Sequence, residues 1–190
     1  MNNITAGFAI CGSFCTFSKA IGQMEYLISE GINVVPIMSQ TAYSTDTRFG
    51  RAEDFRKRIE DICSREIIHT ITQAEPIGPE KMLDILVIEP CTGNTAAKLA
   101  NGVVDTSVTL AAKAHLRNDR PLLLALSTND ALSNAAVNVG KLLNNRNVYF
   151  VPMAQDDSVK KPRSVVADFT KTYDAILSAL DGRQLQPIYF

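Results

Sequence analysis

Four short segments carry the residue types that suit an anionic ligand: Gly12-Ser13-Phe14-Cys15-Thr16, Ser39-Gln40-Thr41, Pro90-Cys91-Thr92-Gly93-Asn94-Thr95 and Ser127-Thr128-Asn129-Asp130. Each offers small hydroxyl or amide side chains with almost no charge, and each follows an apolar run. Free backbone N–H groups at a helix start bind an anion, the helix dipole favours it, and hydroxyls add donors. A glycine such as Gly12 lets the main chain approach a ligand with no side chain in between. The competing role is structural, because Ser13, Thr92 and Ser127 are also the residue types that cap helices. For any one of them, capping is the commoner role. Four such segments converging on one rim argue for a pocket that holds a phosphate-bearing ligand.

The pattern alone does not name that ligand. The sequence lacks the G-x-G-x-x-G dinucleotide fingerprint, the G-x-x-x-x-G-K-[ST] phosphate loop and the G-x-S-x-G nucleophile elbow. The four cysteines, Cys11, Cys15, Cys63 and Cys91, form no C-x-x-C pair, and two histidines leave the zinc spacings unfilled, so no metal is expected. Cys11 and Cys91 adjoin apolar runs and read as small buried hydrophobes. His115 closes an apolar helix and reads as a packed or capping histidine. Arg48 and Arg51 are candidates to meet an acidic ligand, against a solvated role opposite Glu53 and Asp54. Lys160, Lys161 and Arg163 carry the same choice, as a basic lid over an anion or as solvated charge. Tyr43 is divided between stacking on an aromatic ligand and ordinary packing. No side chain is an obvious general acid or base.

These residues must be positioned by the elements between them. Apolar runs predict buried strands at Ala6–Cys11, Ile32–Met38, Asp84–Ile88, Pro121–Leu126 and Asn147–Val151, with a short edge strand at Ile67–Ile71. Pro36 predicts a strand end or bulge, since proline donates no ladder hydrogen bond. Helical spacing links Ala20, Ile21, Met24, Leu27 and Ile28, with Gly31 as the stop. Further helices are predicted over Glu53–Cys63, Thr92–Gly102 and Ser107–Leu116. Another stripe runs through Leu132, Ala135, Ala136, Val139, Leu142 and Leu143. The last joins Val165, Val166, Phe169, Tyr173, Ile176, Leu177 and Leu180. Residues Ala154–Pro162 read as a mobile polar loop, and Gln184–Phe190 as a loose or docking tail. Strict alternation of continuous apolar strands and amphipathic helices means a parallel sheet covered on both faces. The expected fold is a flavodoxin-like or Rossmann-like three-layer α/β sandwich with about six strands, one domain over residues 1–190.

Ligands of such sheets bind beyond the carboxyl ends of the strands, where strand order reverses. The net charge of −1 offers no basic face for nucleic acid. No apolar run approaches the roughly 20 residues of a membrane span, and residues 1–7 carry no secretory pattern, so a cytoplasmic protein is expected.

Gly12-Ser13, Ser39, and Pro90-Cys91-Thr92-Gly93-Asn94-Thr95 followed by Ala97-Lys98-Leu99-Ala100-Asn101-Gly102 and Asp105 resemble the FMN-binding flavoprotein family. That family includes phosphopantothenoylcysteine-type cysteine decarboxylases and flavin prenyltransferases. Pro152-Met153 and Lys161-Pro162 resemble its last-strand and R-P motifs, so the likeness spans nearly the whole chain. The resemblance implies FMN as cofactor, held by Gly12, Ser13, Phe14, Ser39, Thr41, Thr92, Asn94, Thr95, Ser127 and Thr128. In this carry-over, Gly12, Ser13, Phe14 and Ser39 meet the phosphate or ribityl end. Thr41 lies near the ring, while Thr92, Asn94 and Thr95 face ring and substrate and Ser127 and Thr128 close the site. Asn94, Arg48 and Lys161 are the expected substrate contacts.

Two departures bear on the activity. The decarboxylase pattern carries His-Ile fourteen residues before the motif's proline, and Pro76-Ile77 stands there instead; His69 is seven residues too early. Proline transfers no proton, so the decarboxylase reading loses its general base. Lys161 replaces the arginine of R-P and lacks its planar donor fork. Gly12-Ser13-Phe14-Cys15, Cys91-Thr92-Gly93 and Pro187 narrow the resemblance to an oxidoreductase member. It implies a chain that oxidises a cyclic dicarboxylate beside a partner subunit carrying NAD(P), with catalytic residues unassigned. The alternatives are a stand-alone FMN-dependent decarboxylase and a non-catalytic flavin-binding or scaffolding subunit. Relatives assemble as trimers or dodecamers with the flavin at a subunit contact, and the alanine-rich Leu110–Ala114 surface suits close helix packing.

Overall fold

The first apolar run forms strand β1 (Thr5–Ile10), buried from Ala6 onward, as a strand covered on both faces must be. Its neighbours follow the same logic: β2 (Asn33–Met38), β3 (Ile85–Cys91) and β4 (Leu122–Thr128) are almost wholly buried. This computed structural model describes residues 4–190. The strands make one seven-stranded sheet in the order β2-β1-β3-β4-β7-β6, with β5 (Val148–Phe150) also paired to β4. Strands β1 to β5 run parallel, and β6 (Met153–Asp157) and β7 (Lys161–Ala167) form an antiparallel hairpin whose second strand pairs with β4. The result is a mixed α/β sandwich of flavodoxin-like, Rossmann type, with a mostly parallel sheet flanked by helices.

Helix α1 (Phe17–Ser29) buries Phe17, Ala20, Ile21, Met24 and Leu27, the stripe legible in the sequence. It packs against α3 (Ala52–Cys63). Helix α5 (Gly93–Ala100) packs against α6 (Ser107–Leu116) and α7 (Ala136–Leu143). Short helices α2 (Gln40–Ser44) and α4 (Ile71–Ala74) and the closing α8 (Thr172–Leu180) complete the set. No helix among the described residues is long and apolar enough to cross a membrane.

Several expectations are corrected. Pro36 lies inside β2; its carbonyl accepts the Ile68 N–H at 3.0 Å, so its missing donor faces the sheet's outer edge, where proline is tolerated. The expected edge strand at 67–71 reduces to one bridge, Ile37 to Ile68, and Ile71 already begins α4. Residues 154–162, expected as a loop, lie mostly in the β6–β7 hairpin, whose exposed polar strands show no apolar alternation. Val165 and Val166, expected in the last helix, belong to β7, and α8 begins only at Thr172. Leu132 and Ala135 precede α7, and Leu132 is exposed. The tail bonds to its own chain: Met153 N–H donates to the Ile188 carbonyl at 2.9 Å.

Candidate functional site

Beyond β1 the chain turns sharply, with Ser13 N–H donating to the Cys11 carbonyl at 2.8 Å and Thr16 N–H to the Ser13 carbonyl at 3.0 Å. The Thr16 hydroxyl also donates to that carbonyl, at 2.8 Å. The turn leaves the Ser13 hydroxyl free of any capping bond. It meets the Ser127 hydroxyl at 2.9 Å, joining the ends of β1 and β4 across β3. Between them, Thr92 starts α5 and caps it, accepting the Thr95 N–H at 3.2 Å. Of the three residues that could have been caps, Thr92 is one, while Ser13 and Ser127 are paired with each other.

A cleft of about 700 Å³ opens over these strand ends. The β1 loop contributes Gly12, Ser13, Phe14, Cys15 and Thr16, the β3 loop Thr92, Gly93 and Asn94, and the end of β4 Ser127, Thr128, Asn129 and Asp130. Strand order reverses here, since β2 lies on one side of β1 while β3 and β4 follow on the other. The two glycines differ in what demands them. A Cβ on Gly93 would stand 2.5 Å from the Thr128 hydroxyl and 2.9 Å from Asp130 Oδ1, so a side chain there would force those two side chains of the β4 loop to move. A Cβ on Gly12 would make only ordinary contacts at 3.6 Å, to Phe14 and Thr41. The protein's own packing does not require glycine at that position.

Residues 1–182 match the Flavoprotein family. The chain belongs to the flavoprotein family. It is 45% identical over 182 residues to the B subunit of dipicolinate synthase from Bacillus subtilis strain 168, covering 96% of this chain and 91% of that protein. The crystal structure of the corresponding B subunit from Bacillus halodurans superposes with a TM-score of 0.91 at 39% identity, over 100% of this chain and 98% of that one. The FMN-dependent cysteine decarboxylase SpaF shares the fold, with a TM-score of 0.69 at 20% identity over 94% and 95% of the two chains.

Within this flavoprotein, Gly12, Ser13, Phe14, Thr92, Asn94, Ser127, Thr128, Arg48 and Lys161 all line the cleft. Ser39, Thr41 and Thr95 do not. The Ser39 hydroxyl caps α2, accepting the Ala42 N–H at 3.3 Å, because the chain enters a helix directly after β2. Thr95 is buried beneath the rim, its hydroxyl accepting from Thr92 at 3.0 Å. The segment after β2 instead reaches the cleft further on, through Arg48 and Phe49. Arg51 is turned away and paired with Glu53 in solvent. The Tyr43 ring is already engaged, stacked on His69 at 3.7 Å with the Arg56 guanidinium 4.5 Å from its centre. Pro76 lies in a single turn at Glu75–Ile77, outside the cleft wall.

Sequence reasoning missed Lys19, Asp156, Ser164 and Val166, which also face the cleft. Lys19 lies in the first turn of α1, and the other three lie on the hairpin, whose pattern resembles a loop and then a helix. Lys161 Nζ meets Asp156 Oδ2 at 2.6 Å, and this bond raises the lysine above its ordinary range. Lys19 and Arg48 form no ion pair among the described residues. Asp130 accepts the Thr128 hydroxyl at 2.5 Å.

His115, Cys11 and Cys91 are buried. His115 Nε2 lies 3.0 Å from the Pro121 carbonyl, which only accepts, so Nε2 carries the proton. Burial lowers this histidine to about 4. Burial likewise raises Cys11 to about 11, with Thr95 and Lys98 acting the other way. Cys91 rises for the same reason, so neither thiol is a nucleophile at neutral pH. No cluster suited to a metal occurs among the described residues.

Proposed function

We propose that this chain is the flavin-holding B subunit of a dipicolinate synthase, oxidising dihydrodipicolinate to dipicolinate with FMN in the cleft. The partner is the A subunit of that enzyme, carrying NAD(P), and the setting is the mother-cell cytoplasm of a sporulating bacterium. The observation that carries this reading is the convergence of three strand-end loops on one cleft, in a chain so similar over its length to dipicolinate synthase B proteins.

The donor set suits a flavin mononucleotide. Ser13, Thr92, Asn94 and Ser127 offer uncharged hydrogen-bonding groups, and Lys19 and Arg48 offer charge to a phosphate or a carboxylate. Gly12 supports the same reading, since a ligand explains a glycine that packing does not. When bound, FMN would supply the two-electron oxidation that aromatises the ring. The chain's own task is to hold the phosphate end at the β1 turn, orient the diacid between Asn94, Arg48 and Lys161, and exclude water. Pro76 in place of a histidine argues against independent decarboxylation.

The test is the visible spectrum. The purified chain should carry flavin bands or acquire them on adding FMN. Ser13→Ala should weaken FMN binding about three- to tenfold, as loss of one hydrogen bond does. Gly12→Ala should keep the wild-type unfolding midpoint yet bind FMN more weakly. A chain that stays colourless with excess FMN overturns the reading.

A further inference from the structure

The cleft wall contains the cations Lys19, Arg48 and Lys161 and the carboxylates of Asp130 and Asp156. These charges are in unequal states. Asp130 is occupied by the Thr128 hydroxyl. Lys19 and Arg48 have no ionic partner among the described residues, although the Arg48 guanidinium lies 4.9 Å from the centre of the Phe49 ring. Lys161 is already neutralised by Asp156, which faces it from the other strand of the same hairpin.

We propose that Asp156 is a built-in competitor for Lys161, so that this lysine serves the cleft only when a dianionic ligand displaces the Asp156 carboxylate. This rests on reading the cleft as a dicarboxylate site. The pair is open to solvent, with the lysine side chain 61% and the aspartate 32% exposed, so it is screened and easily exchanged. Exchanging one carboxylate for another at Lys161 gains little by itself. A diacid anchored at Lys19 or Arg48 presents its second carboxylate at high local concentration, and that shifts the exchange. Asp156 thereby sets how strongly the site favours ligands with two acidic groups.

The experiment is a double-mutant cycle on the FMN-treated full chain, titrated calorimetrically with pyridine-2,6-dicarboxylate. Asp156→Asn should tighten binding about three- to fivefold, the scale of a screened ion pair. Lys161→Met should weaken it, and Asp156→Asn added to Lys161→Met should then change it little. Simple charge repulsion by Asp156 would instead give the same tightening in both backgrounds. Such additivity, or no tightening in Asp156→Asn, overturns the proposal. Failure of all four proteins to bind the diacid overturns it as well. Flavin absorbance in the same samples separates that result from failure of the FMN reading.

Discussion

Glu89 lies wholly buried on β3, beside the loop that carries Thr92 and Asn94. One carboxylate oxygen meets the Thr172 hydroxyl at 2.6 Å, and the other has no partner among the described residues. Burial pushes this carboxyl up to about 8, with the Thr172 bond acting in the opposite sense. The folded chain therefore holds a proton that the unfolded chain releases above its ordinary value of 4.5. The associated stability is complete below that value and is lost as pH rises through about 8. At ~1.4 kcal/mol per pH unit, the loss is on the order of a few kcal/mol. His115 works the other way: lowered from 6.5 to about 4, it costs stability as pH falls through that window. The difference between two proteins isolates Glu89. Glu89→Gln should flatten the fall of the urea midpoint between pH 5 and about 8, and parallel curves would rule this out. The same residue limits what sequence can show. Reading apolar residues stops the strand at Ile88, yet β3 continues to Cys91 because a neutral carboxyl tolerates burial.

The β6–β7 hairpin is the element that sequence pattern conceals. Gln155 and Asp156 are exposed, so no face alternates between apolar and polar residues. The turn is held locally instead: Asp157 Oδ1 accepts the Val159 N–H at 3.0 Å and the Lys160 N–H at 2.8 Å. Those two N–H groups, Lys160 first, hold the Asp157 carboxyl below its ordinary range. Asp157→Ala should accelerate amide exchange along both hairpin strands while leaving the global unfolding midpoint nearly unchanged. Unaltered exchange there would show that strand pairing alone fixes the turn. Helices α1 and α3 were legible for the opposite reason, since their apolar stripes face a core made in one step of chain. The β1, β3 and β4 rims were legible because strand ends are marked by a change of composition. Lys19 and Asp156 were not, because nothing in their local sequence distinguishes them from solvated charge.

At the scale of the whole molecule, the sheet divides beyond β4. Strand β5 pairs along the first half of β4, and β7 pairs at Ser127 and Thr128, so β5 and β7 share one side of β4 and the β6–β7 hairpin takes over where β5 leaves it. That arrangement leaves the outer edges of β5 and β6 to be covered, and the tail covers them. Gln184 Oε1 accepts the Phe150 N–H at 2.8 Å, and its Nε2 donates to the Phe150 carbonyl at 2.7 Å. Ile188 and Phe190 continue along β6, each bonded to the main chain of Met153. Backbone and amide groups do this docking, which is why a pattern of apolar residues did not locate it. Gln184→Ala strips both partners from Phe150 at a partly buried edge, an expected cost of about 1–3 kcal/mol in urea unfolding. Removing Phe190 alone gives up one long bond of 3.3 Å and an exposed ring, and should cost far less. Equal effects on stability from the two changes would mean that the edge of β5 is solvated without penalty.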